Sequence, residues 1–588
     1  MPRQFRDSAE FIDSVIRLLD SGEYSTALDN FRDDANAEFV KTGCWDLIPK
    51  LCGNLTNENK ETHENLYACS QQLLELLAKN ATPEELVLEF LEQLDESDKI
   101  KFPIILKLLQ VTLPRCLSNT KNTTEWCLNS IRSYLETIFK SEKEMKILKL
   151  KTALDVTCLF YKELISSIFR KKTSQETETI EMLLVSRLIQ LCDLLLPGME
   201  CEIVGDFQEI QSKIINMVLQ LMPDPLKLLD HVFERSLSTG KSRGKHATIK
   251  KNIDLRELDD ECDGLGFNEQ TSPFDDENII SNFAYGIFFH LLLVEKRDWL
   301  PPLVYSPKFM LLSVSFLTVT LLEKPNGMIL KKGLNLLNLA LDRLHDKELN
   351  KYDLCFPHYK TLLLRLNYAM VYSDSKENRC AALKCFDSCI SCFDEEARYW
   401  LLFNFRSDLR HSGSLGHVIM MLKNYVSEFL NLPDPAGKFS RYYRGKLLFD
   451  LIKKYCFLTD GKNTDLVENA DHIISSLNLL RFLVIRDSDN VTDIKLYIVE
   501  IHRDFLKPLK DCCSISKNHY RARLKDSEKS QGESTLNVEV NVQDSLLPKL
   551  TKKEEQNACL LSLNAIDVIE SLLNRLLECI YESFSCNF

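Results

Sequence analysis

Glycine is scarce in this chain, at 18 of 588 residues. Glycine supplies the positive φ angles that phosphate-binding loops and tight β-turns need, so its scarcity disfavours glycine-rich nucleotide sites and turn-rich β folds. A basic surplus is also missing, because 86 acidic residues outnumber 73 basic ones and the formal net charge is −13. Nucleic-acid-binding proteins usually carry a strongly basic footprint, so we do not expect nucleic acid as a partner.

Long apolar runs are absent as well. The longest, such as IFFHLLLV at 287–294, fall far short of the about 20 residues that cross a bilayer. The opening MPRQFRDSAEF has no apolar signal core, so we expect a cytoplasmic protein, with the nucleus as an additional location, and no membrane insertion. Thiols stay reduced in those compartments, and the 20 cysteines are therefore expected to be free.

Amphipathic helical periodicity is what the chain has in abundance. The stretch TPEELVLEFLEQL shows how a segment begins: Thr82 is suited to cap free amides, a proline follows, and Glu85 can complete a capping box. Leu86, Phe90 and Leu94 then recur at four-residue spacing and form one apolar stripe. The same periodicity returns at 101–113, 181–196, 328–344 and 471–485.

This periodicity predicts the fold class. We count roughly twenty helical segments, and the short turns between them favour antiparallel helix pairs. No strict repeat motif can be aligned, which disfavours the ankyrin, tetratricopeptide and leucine-rich families. We therefore predict an all-α fold, an irregular HEAT-like helical-repeat array of paired antiparallel helices in two parts. A compact helical bundle is the alternative.

Two polar stretches interrupt the pattern. Residues 238–275 open basic, turn acidic and end in TSPFD, a composition typical of a linker or mobile loop. This segment would separate an N-terminal helical-repeat region at 1–237 from a C-terminal one at 276–588, which is the predicted partner-binding region. A second polar excursion occupies 524–550, and a final helix at about 552–583 is expected to dock back on the array.

An acidic stretch and a cysteine cluster suggest metal binding only weakly. Residues 259–270 match a calcium loop at its fifth and sixth positions, but two ligand positions are wrong, including the bidentate glutamate. Cys389 and Cys392 form a CxxC motif, but only Cys355 and His358 could supply the second pair that zinc needs. Cys385, Cys389 and Cys392 share one helical face and, as small hydrophobes, are expected in the core. We predict no metal and no cofactor.

The segment from His411 to His417 places a serine between two histidines. It lacks the G-x-S-x-G spacing of a nucleophile elbow, and no strand precedes it, so a helix–helix turn at 410–417 is predicted instead. No HExxH motif, Walker loop, kinase motif set or paired carboxylates occur in the sequence. No enzymatic activity is therefore predicted.

A short segment at 441–446 interleaves cations with aromatics. It contains Arg441, Tyr442, Tyr443, Arg444 and Lys446 and follows the loop NLPDPAGKFS. Arginine and tyrosine are enriched at protein interfaces, which favours a protein contact. A solvated helix start is the plainer alternative, and an RNA contact is a third.

Several segments resemble the glomulin family. The clearest is TDLVENADHIISSLNLLRFLVIRDSDN at 464–490, with its Ser-Leu-Asn-Leu-Leu-Arg core. Others follow in the family's order, at 43–55, 83–94, 303–317, 332–344 and 410–424. The resemblance covers most of the chain from about residue 43, is strongest after residue 275, and fades at both ends and in 524–550.

The resemblance implies a specific function. Glomulin-like proteins are HEAT-like helical proteins that bind the RING-box subunit of cullin–RING ubiquitin ligases, with its cullin, through their C-terminal half. They cover the surface where the charged ubiquitin-conjugating enzyme docks and so inhibit ubiquitylation. The family is also linked to FK506-binding immunophilins, to a receptor tyrosine kinase and to vascular development.

The resemblance of RHSGSLGHVIMMLKN at 410–424, together with the segment at 441–446, predicts where the partner binds. The predicted contacts are His411, Lys423, Arg441, Tyr442, Tyr443, Arg444 and Lys446. Met420 and Met421 are expected to face the core. Two rival hypotheses are a general scaffold that binds several partners and an enzyme with an unfamiliar helical fold. An inhibitor acts stoichiometrically, a scaffold recovers diverse partners, and an enzyme turns over substrate.

Overall fold

The structure is a computed structural model. It describes residues 5–116, 120–140, 146–169, 175–195, 204–242, 274, 279–296, 298–431, 438–529, 541–542, 545–546 and 552–584.

Helices dominate these residues, as the periodicity predicts. The α-helices, numbered along the described chain, are α1 (Ser8–Ser21), α2 (Tyr24–Arg32), α3 (Ala37–Thr42), α4 (Ile48–Gly53), α5 (Asn57–Thr62), α6 (Glu64–Asn80), α7 (Pro83–Asp95), α8 (Lys101–Thr112), α9 (Thr120–Lys140), α10 (Lys146–Phe169), α11 (Gln175–Gln190), α12 (Val204–Leu221), α13 (Leu228–Ser242), α14 (Asn282–His290), α15 (Pro307–Leu322), α16 (Gly327–Leu341), α17 (Pro357–Tyr372), α18 (Lys376–Ser391), α19 (Glu395–Phe405), α20 (Ser412–Leu430), α21 (Gly445–Cys456), α22 (Ala470–Arg486), α23 (Ile498–Ile501), α24 (Lys507–Lys529) and α25 (Lys552–Phe584). Strands within the described ranges are two residues long, Asn541–Val542 and Ser545–Leu546, and pair antiparallel.

Helices that are neighbours in sequence pack on each other along much of the chain. Contacting pairs include α7 with α8, α14 with α15, α17 with α18 and α24 with α25. The array is irregular, because α20 packs most extensively on α22 and much less on α21, the helix that follows it. The predicted all-α helical-repeat fold is confirmed. Along the helices that the structure covers, none combines the length and apolarity needed to cross a membrane.

Backbone contacts divide the chain into two units, Met1–Ala340 and Leu341–Phe588. Most of the predicted linker at 238–275 lies outside the described residues, as does the calcium-like stretch at 259–270. At its two ends, α13 continues to Ser242 and Phe274 is buried. The division of the chain at a linker therefore stays a prediction, and most of the excursion at 524–550 likewise falls beyond what is described.

At the start of α7, the predicted apolar stripe is confirmed and the predicted side-chain cap is not. Pro83 occupies the first helical turn, and Leu86, Phe90 and Leu94 are buried as the stripe predicts. The Thr82 side chain does not cap the helix. Its hydroxyl donates instead to the carbonyl oxygen of Lys41, at 2.8 Å. The predicted capping box is therefore wrong, because a contact distant in sequence takes up the hydroxyl.

The cysteines of the CxxC region lie in the core of the second unit. Cys385, Cys389 and Cys392 are at most 4% exposed. Burial raises the pKa of the Cys385 thiol to about 12 and that of Cys392 to about 11, and it raises the pKa of Cys389 further. The three groups therefore stay protonated at neutral pH and pack as small apolar side chains.

This burial predicts selective alkylation. In the native chain at mildly alkaline pH, iodoacetamide should modify the exposed Cys355 and Cys380 quickly. Cys385 and Cys389 should react only after unfolding, because a raised pKa removes the reactive thiolate and burial blocks access. Peptide mass spectrometry over time, with a denatured sample as the control, measures the order. Native labelling of Cys389 as fast as that of Cys355 would contradict the expectation.

Candidate partner-binding surface

The segment that carries the predicted cation–aromatic cluster is a 3-10 turn, Lys438–Tyr443, that leads into α21. Arg444 is extended, with φ −138° and ψ 150°. Gly445 follows with φ +58°, a left-handed conformation that favours glycine, and its amide donates to the carbonyl oxygen of Thr492 at 2.9 Å. This turn aligns the start of α21 with the segment that begins near residue 492.

Both tyrosines of the cluster point into the unit. Tyr443 is 6% exposed, and its ring centroid lies 6.5 Å from that of Tyr425 and 6.2 Å from that of Phe429. Tyr442 is 5% exposed and lies beside Tyr399, with ring centroids 5.4 Å apart. Tyr442 and Tyr443 are predicted partner contacts, and the structure instead packs both rings in the interior. Both tyrosines therefore belong to the core of the second unit.

The cations of the cluster remain on the surface. Arg441, Arg444 and Lys446 are exposed. The Arg444 guanidinium donates to a carboxylate oxygen of Asp493 at 2.7 Å. Exposed pairs of this kind contribute little to folding stability, so their charges are free to exchange partners when another protein binds.

The carboxylate of Glu396 lies beside Arg441, the first cation of the cluster. Its carboxylate lies 3.2 Å from the Lys351 ammonium and 3.8 Å from the Arg441 guanidinium. Partial burial alone would raise the pKa of Glu396, but hydrogen bonds from Tyr442 and Lys351 and the charge of Arg441 lower it overall. The carboxylate is therefore ionised at neutral pH and holds Arg441 beside the buried tyrosine.

Two exposed apolar side chains lie in the segment that begins with Asp493, the partner of Arg444, and the sequence pattern did not single them out. Leu496 is 72% exposed and Val499 is 60% exposed. Their segment runs beside α21, since the rings of Phe449 and Tyr497 stack with centroids 4.3 Å apart. An ion pair of 2.8 Å between Lys453 and Glu500 adds a second link.

A sequence signal for this pair existed. In DIKLYIVEI the isoleucines at 494, 498 and 501 are buried and form the apolar stripe. Leu496 and Val499 fall outside that stripe, so an amphipathic reading of the segment leaves them on the solvent side. Trp400, 42% exposed on α19, follows Tyr399, which packs on Tyr442. We name these residues together the α21 surface: Trp400, Arg441, Arg444, Lys446, Leu496 and Val499.

The predicted turn at 410–417 is shorter than expected. Helix α20 already begins at Ser412, with His411 as its N-cap, and the Ser414 amide donates to the His411 ring at 3.4 Å. His417 lies within the helix, 2.6 Å from a carboxylate oxygen of Asp387. Six residues assigned to a turn therefore belong to a helix.

Glycine in this motif serves helix packing. A Cβ atom on Gly416 would lie 3.0 Å from the backbone oxygen of Asp471 and 2.9 Å from the hydroxyl oxygen of Ser475. Both residues are on α22, so the missing side chain allows α20 and α22 to approach closely. The close approach of these two helices explains the glycine of this motif.

Lys423 and the segment at 441–446 lie on different sides of α20. The Lys423 ammonium lies 5.4 Å from the ring centroid of Phe482 on α22. Tyr425 contacts Tyr443 instead, and residues two apart on a helix point about 200° apart. His411 precedes Lys423 by twelve residues (423 − 411), about 18 Å along the axis. The predicted contacts therefore do not form one continuous face on α20.

The two methionines of α20 differ in exposure. Met421 is 6% exposed, as the core prediction required, whereas Met420 is 48% exposed and that prediction is wrong for it.

Among the residues that the structure describes, no group of three or more histidine, cysteine, aspartate or glutamate side chains is arranged to hold a metal ion.

A family model described as an uncharacterised protein family, YAP/Alf4/glomulin, matches residues 17–238 and 296–572. Glomulin of Homo sapiens is 25% identical over 580 residues, which cover 96% of this chain and 92% of that protein. Glomulin of Mus musculus is 25% identical over 582 residues, with the same shares covered.

Among solved structures, a circular tandem repeat protein with novel repeat topology and enhanced subunit contact surfaces is similar over 98% of this chain and 90% of its own. The sequence identity is 11% and the TM-score is 0.21.

Proposed function

The chain belongs to the YAP/Alf4/glomulin family, and on that premise we propose that it binds the RING-box subunit of cullin–RING ubiquitin ligases, together with its cullin, and blocks docking of the ubiquitin-conjugating enzyme. The family match and the two glomulin relatives confirm the resemblance and support a glomulin-like regulatory protein. FK506-binding immunophilins and a receptor tyrosine kinase belong to the same proposal as further partners, in a cytoplasmic protein with a role in vascular development.

One observation carries the proposal furthest: the exposed Leu496 and Val499 belong to a segment whose Asp493 pairs with Arg444 and whose Glu500 pairs with Lys453. Leu496 and Val499 are more than half exposed, and Arg444 bonds to Asp493 at the start of the same segment. Protein interfaces combine a few apolar anchors with a polar rim, and arginine is enriched in them. The α21 surface has this composition, and it lies in the C-terminal half that the resemblance implies.

The proposed mechanism is steric. A standard interface buries about 1,600 Å², which is enough to exclude a competitor by overlap alone. Arg441 and Arg444 flank two buried tyrosines in the chain, Tyr442 and Tyr443, whose packing fixes the backbone that carries these cations. A preorganised surface loses little conformational entropy on binding, which favours a tight complex. Inhibition by overlap requires no catalytic group, and we propose none.

A titration into a reconstituted cullin–RING ubiquitylation reaction tests this function. We expect ubiquitin transfer to fall linearly and to stop near one equivalent of this chain per RING-box–cullin complex, because a mask acts by occupancy. A single-chain RING ligase without a RING-box subunit should be unaffected and serves as the control. Inhibition of both ligases alike, or complete inhibition at a small fraction of an equivalent, would contradict the proposal.

A second candidate is a general adaptor, and one observation favours it. Tyr368 and Tyr372 on α17 are 58% and 62% exposed, with ring centroids 4.8 Å apart. Exposed tyrosine pairs are typical of protein contacts. Affinity capture separates the candidates, because an adaptor should retain several partners when the α21 surface is disrupted, whereas a dedicated inhibitor should lose its ligase and recover little else.

A further inference from the structure

One exposed serine of the first unit directly precedes a proline. Ser306 ends the loop that leads into α15, and Pro307 is the first residue of that helix. The chain contains three dipeptides of serine or threonine with proline, at 82–83, 272–273 and 306–307, and the second lies outside the described residues. Proline-directed protein kinases modify such dipeptides. The fold around each one decides whether a kinase can reach its hydroxyl group.

Ser306 and the loop before it are open to solvent. Ser306 is exposed, Leu303 is 54% exposed and Val304 is fully exposed. The Ser306 backbone is extended, with φ −61° and ψ 127°, and its side chain does not cap the helix. A protein kinase binds its substrate as an extended segment and must reach the hydroxyl oxygen. The chain meets both requirements up to Ser306.

The residues after Ser306 form the first turn of α15. Its first helical hydrogen bond runs from the Met310 amide to the Ser306 carbonyl oxygen, at 3.0 Å. The first amides of a helix have no partner within the helix, and helix ends fray. Opening this one turn therefore extends the chain through Pro307 and Lys308 and leaves the rest of α15 in place.

Thr82, which precedes Pro83, has the opposite environment. Its hydroxyl donates to the carbonyl oxygen of Lys41 at 2.8 Å, and its amide donates to the same oxygen at 3.1 Å. Phosphoryl transfer uses the hydroxyl oxygen as the nucleophile, so this oxygen has to be free to approach ATP. Because both groups of Thr82 are bonded to α3, this threonine can enter a kinase site only after local unfolding.

We propose that Ser306 is a phosphorylation site for a proline-directed serine/threonine kinase. The Ser306 Oγ forms a bond to the γ-phosphorus of ATP, ADP leaves, and the hydroxyl proton passes to the catalytic aspartate of the kinase. The phosphate adds a charge of about −1.5 to −2 at neutral pH. Leu303 and Val304 precede it by three and two residues, so the modification converts an exposed apolar loop into a charged one.

Treatment of the native full chain with Mg²⁺, ATP and a purified kinase tests the proposal, with a mitogen-activated kinase and a cyclin-dependent kinase used separately. Tandem mass spectrometry assigns each phosphate to its residue and distinguishes Ser272 from Ser306. We expect Ser306 to approach one phosphate per chain with at least one of the two kinases, and Thr82 to stay largely unmodified. A cyclic-AMP-dependent kinase is the control enzyme. It prefers basic residues before the serine, finds Leu303 and Val304 there, and should leave Ser306 unmodified.

Two comparisons separate the effect of the fold from that of the dipeptide. Synthetic peptides spanning 298–314 and 74–90 give the rate at each site without tertiary structure. The native chain should keep the peptide rate at Ser306 and lose about tenfold at Thr82, because the hydrogen bonds of Thr82 must open first. Pro307→Ala keeps the hydroxyl group and should lose most of the modification at Ser306, whereas Ser306→Thr should retain it.

Absence of phosphate on Ser306 with both kinases would overturn the proposal. So would undiminished modification of Pro307→Ala, efficient modification of Ser306 by the control enzyme, or a rate at Ser306 that falls from peptide to native chain as far as the rate at Thr82. Ser306 belongs to the first unit and the α21 surface to the second, and the ligase titration needs no kinase. The two proposals therefore fail separately.

Discussion

Replacing Leu496 and Val499 together by aspartate is expected to abolish inhibition of a cullin–RING ligase at concentrations where the parent chain inhibits fully. Truncating or charging a central interface anchor costs about 3 kcal/mol, which weakens binding about 100-fold. Both side chains are more than half exposed, so the fold should tolerate the change. Binding to the RING-box–cullin complex, inhibition of ubiquitin transfer and thermal unfolding are the three measurements.

A matched control exists on the final helix. Leu560 and Leu561 on α25 are 49% and 69% exposed, so Leu560→Asp/Leu561→Asp adds the same charge to another exposed apolar pair of the same unit. This control should bind and inhibit normally. If both double variants lose inhibition alike, the loss comes from the added negative charge and not from a specific site. If Leu496→Asp/Val499→Asp inhibits normally, the α21 surface is not the site.

Single charge reversals then distinguish the two surfaces on which the predicted contacts lie, the α21 surface and the α20–α22 pair. Arg444→Glu and Lys446→Glu alter the α21 surface, whereas Lys423→Glu alters the α20–α22 pair near Phe482. A site on the α21 surface predicts losses for the first two and little effect for the third. The opposite pattern would place the partner on α20 and α22.

Tyr443→Ala is expected to destabilise the second unit by about 3–5 kcal/mol, since it removes a buried aromatic ring and leaves a cavity. The ring packs against Tyr425 and Phe429, and the Arg398 guanidinium lies 4.4 Å from the ring centroid of Tyr425. Tyr443→Phe keeps the ring and should cost only about 0.5–1.5 kcal/mol, because it removes the hydrogen bond between the Tyr443 hydroxyl and Arg398. Urea unfolding measures both, with hydrogen exchange across 398–429 to locate the change.

This prediction also separates burial from direct contact. If Tyr443→Ala leaves stability unchanged and yet loses the ligase, the ring touches the partner, as the sequence suggested. If stability falls and binding recovers at low temperature, where the variant is folded, the ring acts through the core. The exposed Arg444→Glu provides the contrast, because it should change binding with little effect on stability.

Helix positions were predictable because their signals are local. The apolar pattern at 471–485 predicted a helix that the structure bounds as Ala470–Arg486, and the pattern at about 552–583 predicted Lys552–Phe584. Side chains three and four residues apart meet on one face whatever the rest of the chain does. The all-α class and the burial of Cys385 and Cys389 follow from the same rule.

Exposure and helix partners were not predictable in this way. Nothing within 441–446 distinguishes a tyrosine that fills the core from one that faces solvent, since the Tyr443 ring packs against Tyr425 and Phe429 on another helix. The sequence around Gly416 is typical of a turn. Only the structure shows that the backbone of Asp471, 55 residues later (471 − 416), lies close to this glycine. Spacing along a chain specifies which residues share a helical face, but only packing between distant helices decides which of those faces is covered and which is left for a partner.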